Sequence, residues 1–384
     1  MITNGIKFKS FDKNKKVQKL QKKIKFIAKE NNSIIQSLRG NYKDNFSLKK
    51  IRSLKKFKDF RIIGMGGSSL GAQAIYDFLN KKIKKNFTFI NNLNSSNISK
   101  EKKKFVNLVI SKSGNTIETI VNSNIYIKKN DKNIFITENK KNYLHLLAEK
   151  LKSEIIHHNN FIGGRYSVLS EVGMLPAELM GLNSKKFRQF NNLIKNKKYL
   201  NELINNVSSI LFLIRNKKYN SVIINYDENS TSFFSWYQQL VAESLGKNKK
   251  GLLPIISNMP KDNHSVMQLF LDGFSNNFFT FFFVHNKKSP KIFNNSILLS
   301  KKNLLNKSLK DITYAQKIAT ENVFKKKKIP FRSFEIYKRD EKTLGELFTF
   351  FMLETILIGE ALKLNPYNQP AVELIKNETR KILI

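Results

Sequence analysis

Twice in its first third the chain runs from a short apolar stretch into a loop of glycines and hydroxyls, then into helical spacing. This recurrence limits the fold more than any other feature. The later passage reads Phe105-Val106-Asn107-Leu108-Val109-Ile110, then Ser111-Lys112-Ser113-Gly114-Asn115-Thr116, with Ile117, Ile120 and Val121 resuming at helical intervals. The earlier one reads Phe60-Arg61-Ile62-Ile63, then Gly64-Met65-Gly66-Gly67-Ser68-Ser69-Leu70-Gly71, with a helix expected over Ala72 to Leu79. Each is read as strand, tight loop, helix. Two such passages, about 45 residues apart, predict a parallel sheet whose loops gather at its carboxyl edge.

Those loops are suited to an anion. A helix amino terminus leaves backbone N–H groups unpaired and carries the positive end of the macrodipole. Ser111, Ser113, Thr116 and Lys112 cluster at one such terminus, and Gly67 and Ser68 stand at the other. Glycine allows close backbone approach to a phosphate, and Ser68 adds a hydroxyl. The competing reading is structural: Ser, Asn and Thr are ordinary N-cap residues, and a glycine run also serves a plain strand-to-helix turn. Neither a dinucleotide fingerprint nor a Walker loop is complete here, because Ser69 stands where the former needs glycine and no Gly-Lys-Ser/Thr follows.

Residues 1 to about 55 alternate lysines with apolar positions such as Val17, Leu20, Ile24, Phe26 and Ile27, which predicts an amphipathic helical segment. A further strand is expected at Ile134 to Thr137 and a short helix at Asn142 to Leu151. Gly163-Gly164-Arg165-Tyr166-Ser167 then holds an arginine on a glycine turn, placed either for a ligand anion or for an interdomain ion pair. A second cycle starts with a strand at Tyr219 to Tyr226 and a helix from about Phe233 to Leu245. On that helix Gln239 and Glu243 stand four apart and share a face, where a carboxylate serves as base beside an orienting amide or is simply solvated. The last third contains an apolar helix, Leu344 to Leu362, in which Glu346, Glu354 and Glu360 argue against a membrane span. The two halves look like parallel α/β units of similar size, as if duplicated.

Composition excludes several classes. With no cysteine there is no disulfide framework and no thiolate chemistry. None of the five histidines falls at metal-ligand spacing: His145 lies in a helical pattern, His157 and His158 point opposite ways on a strand, and His285 follows a Phe-rich strand. Only His264, in Asp262-Asn263-His264-Ser265, has a polar, turn-like setting. The net charge of +40 is spread through nearly every segment. Runs such as Lys102-Lys103-Lys104 and Lys325-Lys326-Lys327-Lys328 are read as solvated faces, since a nucleic-acid footprint is a clustered stripe. No apolar run is long enough to cross a bilayer, and the amino terminus lacks a hydrophobic signal region, so a cytoplasmic address is expected.

Taken together, six stretches resemble the glucose-6-phosphate isomerase (phosphoglucose isomerase) family. They are Gly64 to Gly71, Ser111 to Thr119, Gly163 to Ser167 with Val172-Gly173, Gln238 to Lys247, His264-Ser265 with Gln268-Leu269 and Asp272-Gly273, and Gln369-Pro370-Ala371-Val372-Glu373 with Lys376. Their order is the family's order. The resemblance implies an α/β fold of two sugar-isomerase domains, each a parallel sheet between helices, with a carboxy-terminal helical extension. The expected boundaries are a helical segment 1–55, a first domain 56–200, a second domain 201–340, and a helical segment 341–384 that completes the site.

The resemblance also implies roles. Gly67, Ser68, Ser111, Lys112, Ser113 and Thr116 would bind the phosphate of a sugar-phosphate substrate, while Gln239 and Gln369 line the site. Arg165 would stabilise an enediolate, Glu243 would be the base, and His264 and Lys376 would open the sugar ring. In the family the histidine comes from a neighbouring subunit, so a homodimer with shared sites is expected, without metal, organic cofactor, nucleic acid or membrane. The residues are consistent with that chemistry: one carboxylate can carry a proton between adjacent carbons, and a guanidinium stabilises charge that appears only along the reaction path. Asn115, Ile117, Asn368 and Ser69 depart from common family residues. A dual-specificity isomerase that also takes mannose 6-phosphate, and a sugar-phosphate binder without catalysis, remain the alternatives.

Overall fold

The computed structural model describes residues 1–12, 18–94, 104–128, 131–286, 288–292 and 302–383. Val17 and the lysines Lys102 and Lys103 of the sequence reading lie outside these residues. The first sheet is formed by β2 (Asp59–Ile63), β3 (Asn86–Ile90), β4 (Val106–Ile110), β5 (Lys132–Glu138) and β6 (Glu154–His158) in the order β3-β2-β4-β5-β6, every pair parallel. Strand β4 is buried at every position, as expected for a central strand covered on both faces. Between β2 and β4 the strand order reverses, since the chain steps outward to β3 before returning. Ligands of open parallel sheets bind at such a point, outside the carboxyl ends of the strands. The two glycine and hydroxyl loops follow β2 and β4, so they flank it.

The second sheet joins β1 (Ile6–Lys9), β7 (Asn220–Asn225), β8 (Leu253–Asn258), β9 (Asn277–Val284) and β10 (Phe331–Ile336) in the order β1-β10-β9-β7-β8. Its four later strands are parallel and repeat the β3-β2-β4-β5 arrangement of the first sheet, so the two halves share one topology. In place of a fifth parallel strand, β1 pairs antiparallel with β10, Ile6 opposite Ile336 and Phe8 opposite Phe334. The amino-terminal segment therefore departs from the all-helical expectation. Ile6-Lys7-Phe8-Lys9 alternates buried and exposed, the period of a half-covered edge strand, and the helix after it spans Gln18–Lys29. Leu20, Ile24 and Ile27 of that helix are buried, whereas Phe26 is exposed.

The apolar helix near the carboxyl end spans Glu341–Ala361 and, apart from the exposed Lys342, is buried from Glu341 to Gly359. It lies in one hydrophobic cluster that holds Phe60, Leu108 and Ile110 of the first sheet with Phe282, Val284 and Phe334 of the second. Glu346 and Glu354 are buried rather than solvated. Glu354 is paired with the fully buried Arg332 of β10, which also receives support from Asn206 and Thr280, so a charge inside the core is matched and hydrogen-bonded. Lys325 to Lys328 are exposed, as expected of a solvated face.

Candidate active site

The loop after β2 is built on backbone proximity. Gly66 adopts φ +52°, in the left-handed region that favours glycine. Gly67 lies so close to the Gly164–Arg165 backbone that a Cβ there would stand 2.1 Å from the Gly164 carbonyl carbon. Ser167 reinforces the approach, its hydroxyl donating to Gly164 O at 2.7 Å and Gly67 O at 3.4 Å. Ser68 ends the short 3₁₀ turn Gly66–Ser68 and is half-buried, while Ser69 is buried and its hydroxyl donates to Gly66 O.

In the loop after β4, Gly114 has φ +64° and packs on the Asn142 side chain. Thr116 occupies the N-cap position of the helix Ile117–Tyr126, yet its side chain makes no capping bond. Its hydroxyl meets Ser111 Oγ at 2.9 Å instead. Among the described residues no side chain caps this helix start, whose N–H groups lie beside the paired hydroxyls. Lys112 is half-buried; burial pushes its ammonium below the ordinary lysine range, Glu138 opposing and Arg165 adding to the effect. Ser113 is exposed, and its hydroxyl accepts from Asn115 N. Asn115 turns away, its Oδ1 accepting from Tyr143 N, so this departure leaves the loop's hydroxyls untouched.

Arg165 is the hub. Only 1% exposed, it sits on the 3₁₀ helix Gly164–Leu169, and its guanidinium is satisfied on every side. Nε donates to Ser244 Oγ at 2.7 Å, Nη1 to Glu243 Oε2 at 3.1 Å and Gln369 Oε1 at 2.6 Å, and Nη2 to the carbonyls of Pro366 and Asn368. Asn368 thus contributes its backbone, which explains why its side-chain identity is free to depart from the family. Glu243 and Gln239 come from the helix Thr231–Leu245, whose Trp236 anchors it by donating to Arg165 O. Gln239 Nε2 donates to Glu243 Oε1 at 2.8 Å, leaving its own buried Oε1 without a partner among the described residues. The carboxylate therefore receives one hydrogen bond on each oxygen.

Two expected residues stand apart from this group. His264 closes the exposed turn Lys261–His264 after β8. Lys376 lies on the helix Val372–Ile382, which buries no residue, and its ammonium pairs with Glu373 at 2.6 Å rather than with Glu243. Conversely, the sequence reading gave no role to Ser244 or Lys247. Lys247 lines a cavity of about 470 Å³ with Glu243, Gly246, Asn248, Gln369 and Pro370. Burial and the neighbouring Arg165 push it down to about 8, against the pull of Glu243. Its position four residues beyond Glu243 was the available signal. A second cavity, of about 480 Å³, opens at the opposite, amino edge of the second sheet beside Phe331 and Leu213 and holds none of these groups.

Among the described residues no group of three or more metal-ligating side chains occurs, and no helix is long and apolar enough to cross a membrane. The sequence model of the family described as phosphoglucose isomerase matches residues 14–254. Glucose-6-phosphate isomerase of Methanocaldococcus jannaschii is 33% identical over 345 residues, 85% of this chain and 84% of that protein. The Mycoplasmopsis pulmonis glucose-6-phosphate isomerase is 34% identical over 354 residues, 84% of this chain and 82% of its own length. The fold matches the crystal structure of a hypothetical protein from Thermus thermophilus with a TM-score of 0.84 at 24% identity, over 95% of this chain and 94% of that one.

Proposed function

The chain belongs to the phosphoglucose isomerase family, and from that premise we propose that it interconverts glucose 6-phosphate and fructose 6-phosphate through a cis-enediol(ate). The observation that carries the assignment of roles is the carboxylate of Glu243, held between Gln239 and Arg165 beside the two loops at the reversal of the first sheet.

In this reading the substrate phosphate rests on Ser68, Ser111, Lys112, Ser113 and Thr116 and on the N–H groups that open the helix Ile117–Tyr126. Glu243 removes the proton from the carbon next to the carbonyl and returns it one carbon away. The enediolate oxygens then carry negative charge, and the guanidinium of Arg165, already desolvated and fixed, stabilises it without reorganising. Gln239 and Gln369 hold the sugar hydroxyls. Ring opening needs a proton given to the ring oxygen and one taken from O1, tasks for His264 and Lys376. His264 reaches Glu243 from the neighbouring subunit of a homodimer whose sites are shared, and Lys376 exchanges its partner Glu373 for substrate. The exposure of His264, and of Leu374 and Ile375 on the carboxy-terminal helix, supports a subunit contact there. The enzyme works in the cytoplasm.

The test is conversion of fructose 6-phosphate to glucose 6-phosphate by purified protein, read through a coupled dehydrogenase with EDTA present. Activity is expected in the parent, and Glu243→Gln is expected to lower turnover by at least about 10²-fold with binding retained. A parent that binds the sugar phosphate but does not turn it over is a binder, not an isomerase.

A further inference from the structure

His158 and Glu171 form a buried pair that the chemistry above does not use. His158, the last residue of β6, is 3% exposed, and Glu171 is the first residue of the helix Glu171–Leu179. His158 Nδ1 meets Glu171 Oε1 at 2.7 Å, and Nε2 meets Ile162 O at 3.0 Å. A carbonyl only accepts, so Nε2 donates. Although burial alone would raise the Glu171 carboxyl, hydrogen bonds from His158 and from the Asn159 and Glu171 N–H groups hold it below its ordinary value. Its place at a helix amino terminus adds to that. The ring therefore bridges the Glu171 carboxyl on one side and the Ile162 carbonyl on the other. Glu171 Oε1 also accepts from Asn159 N at 2.9 Å, and Oε2 from Tyr42 Oη at 3.4 Å.

We propose that His158 and Glu171 are positioning residues for Arg165, fastening both ends of the turn 159–162 through which the chain enters Gly163-Gly164-Arg165. The turn starts at Asn159 N, held by Glu171, and ends at Ile162 O, held by His158. The turn is also braced from within, by Phe161 N donating to Asn159 Oδ1 at 2.9 Å, by Ile162 N donating to Asn159 O at 3.1 Å and by the buried Ile162 side chain, whereas Phe161 is 80% exposed and two glycines without side chains follow Ile162. The far end of the same element is secured separately. Arg188 donates from Nε and Nη2 to Leu169 O and pairs with Asp44, and Asp44 in turn faces Glu171 and Glu178. The guanidinium is fixed by Ser244, Glu243 and the 366–369 segment; its backbone root packs on Gly67, and the turn that leads into it is fastened by the His158–Glu171 pair. A catalytic group displaced by about 1 Å loses about 10² in rate, which is what the pair prevents. The inference rests on the enediolate role given to Arg165 above.

The test replaces both partners, His158→Leu with Glu171→Leu, because exchanging a buried pair for apolar side chains spares the fold better than stranding one charge. Amide exchange across residues 159–166 is expected to quicken by about 10-fold or more while β4 and β5 stay protected. Turnover is expected to fall about 10²-fold, with KM for fructose 6-phosphate nearly unchanged. In an Arg165→Ala background the same pair of changes is expected to cost nothing further, since the effect passes through the arginine. Glu171→Gln, whose amide can bond both Nδ1 and the Asn159 N–H, is expected to retain most of the activity. Unchanged exchange in the turn overturns the proposal, whether or not the parent isomerises the sugar. Losses that add in full to those of Arg165→Ala also overturn it, because they mark a general structural role. An inactive parent instead removes the isomerase reading, leaving exchange to decide the fastening.

Discussion

Arg165 and Glu243 are joined by a 3.1 Å hydrogen bond from Nη1 to Oε2 across 78 residues of sequence. The guanidinium is wholly buried and the carboxylate is 27% exposed, so the pair has one side in the core and the other open to a ligand. The proposed base is thereby aimed by the group that later stabilises the charge it creates. Arg165→Lys keeps the cation but cannot make the five bonds of the fork. It is expected to lower kcat about 10²- to 10³-fold, the usual cost of a lost donor at a developing oxyanion, with a smaller change in KM. Steady-state kinetics decides this; a rise in KM alone would make the arginine a phosphate clamp.

Thr116 pairs its hydroxyl with Ser111 and leaves the helix start uncapped. Thr116→Val is therefore expected to spare the melting temperature while raising KM for fructose 6-phosphate about 10-fold, the worth of one hydrogen bond to a charged group. A lower melting temperature with KM unchanged would return Thr116 to a capping role.

If His264 enters the neighbouring subunit's site, two inactive variants can repair each other. Glu243→Gln and His264→Ala, unfolded together and refolded, are expected to recover about a quarter of parental activity, since half the dimers are mixed and each mixed dimer has one intact site. No recovery, with mixed dimers shown by mass spectrometry, would place His264 in its own subunit's site.

Lys247 yields a stability prediction with a definite sign. Burial pushes its ammonium from 10.5 down to about 8. Below that pH the folded protein bears the cost of a charge held against its environment. Between about 8 and 10.5 the unfolded chain binds more protons, so this contribution to stability rises with pH across the window and is level above it. Lys247→Met is expected to melt above the parent at pH 7, and the gap is expected to close by pH 10.5. Thermal melts across that range test it, and a gap that stays constant would contradict the assignment.

Much of the site was legible because its parts are local. The strand–loop–helix passages at Phe60 and Phe105 became β2 and β4, and the glycines in them proved to sit at left-handed angles or at backbone contacts. The pairing of His157 exposed with His158 buried followed from strand alternation. Gln239 and Glu243 on one helix face did meet, at 2.8 Å.

What the chain's order determined by itself was the type of the elements read beyond the amino-terminal segment, the duplicated α/β plan and the residue kinds at each loop, since these depend on spacing within a few residues. Only the tertiary structure decided that Ile6–Lys9 closes the second sheet beside β10, that Glu354 is buried against Arg332, and that Arg165 gathers Ser244, Glu243 and Gln369. It alone brought His158 to Glu171 and left Lys376 on an exposed helix. Such contacts join residues far apart in the chain. Their partners are selected by how the whole core packs and by the cost of leaving any buried charge or donor unmatched, and no local pattern carries that information.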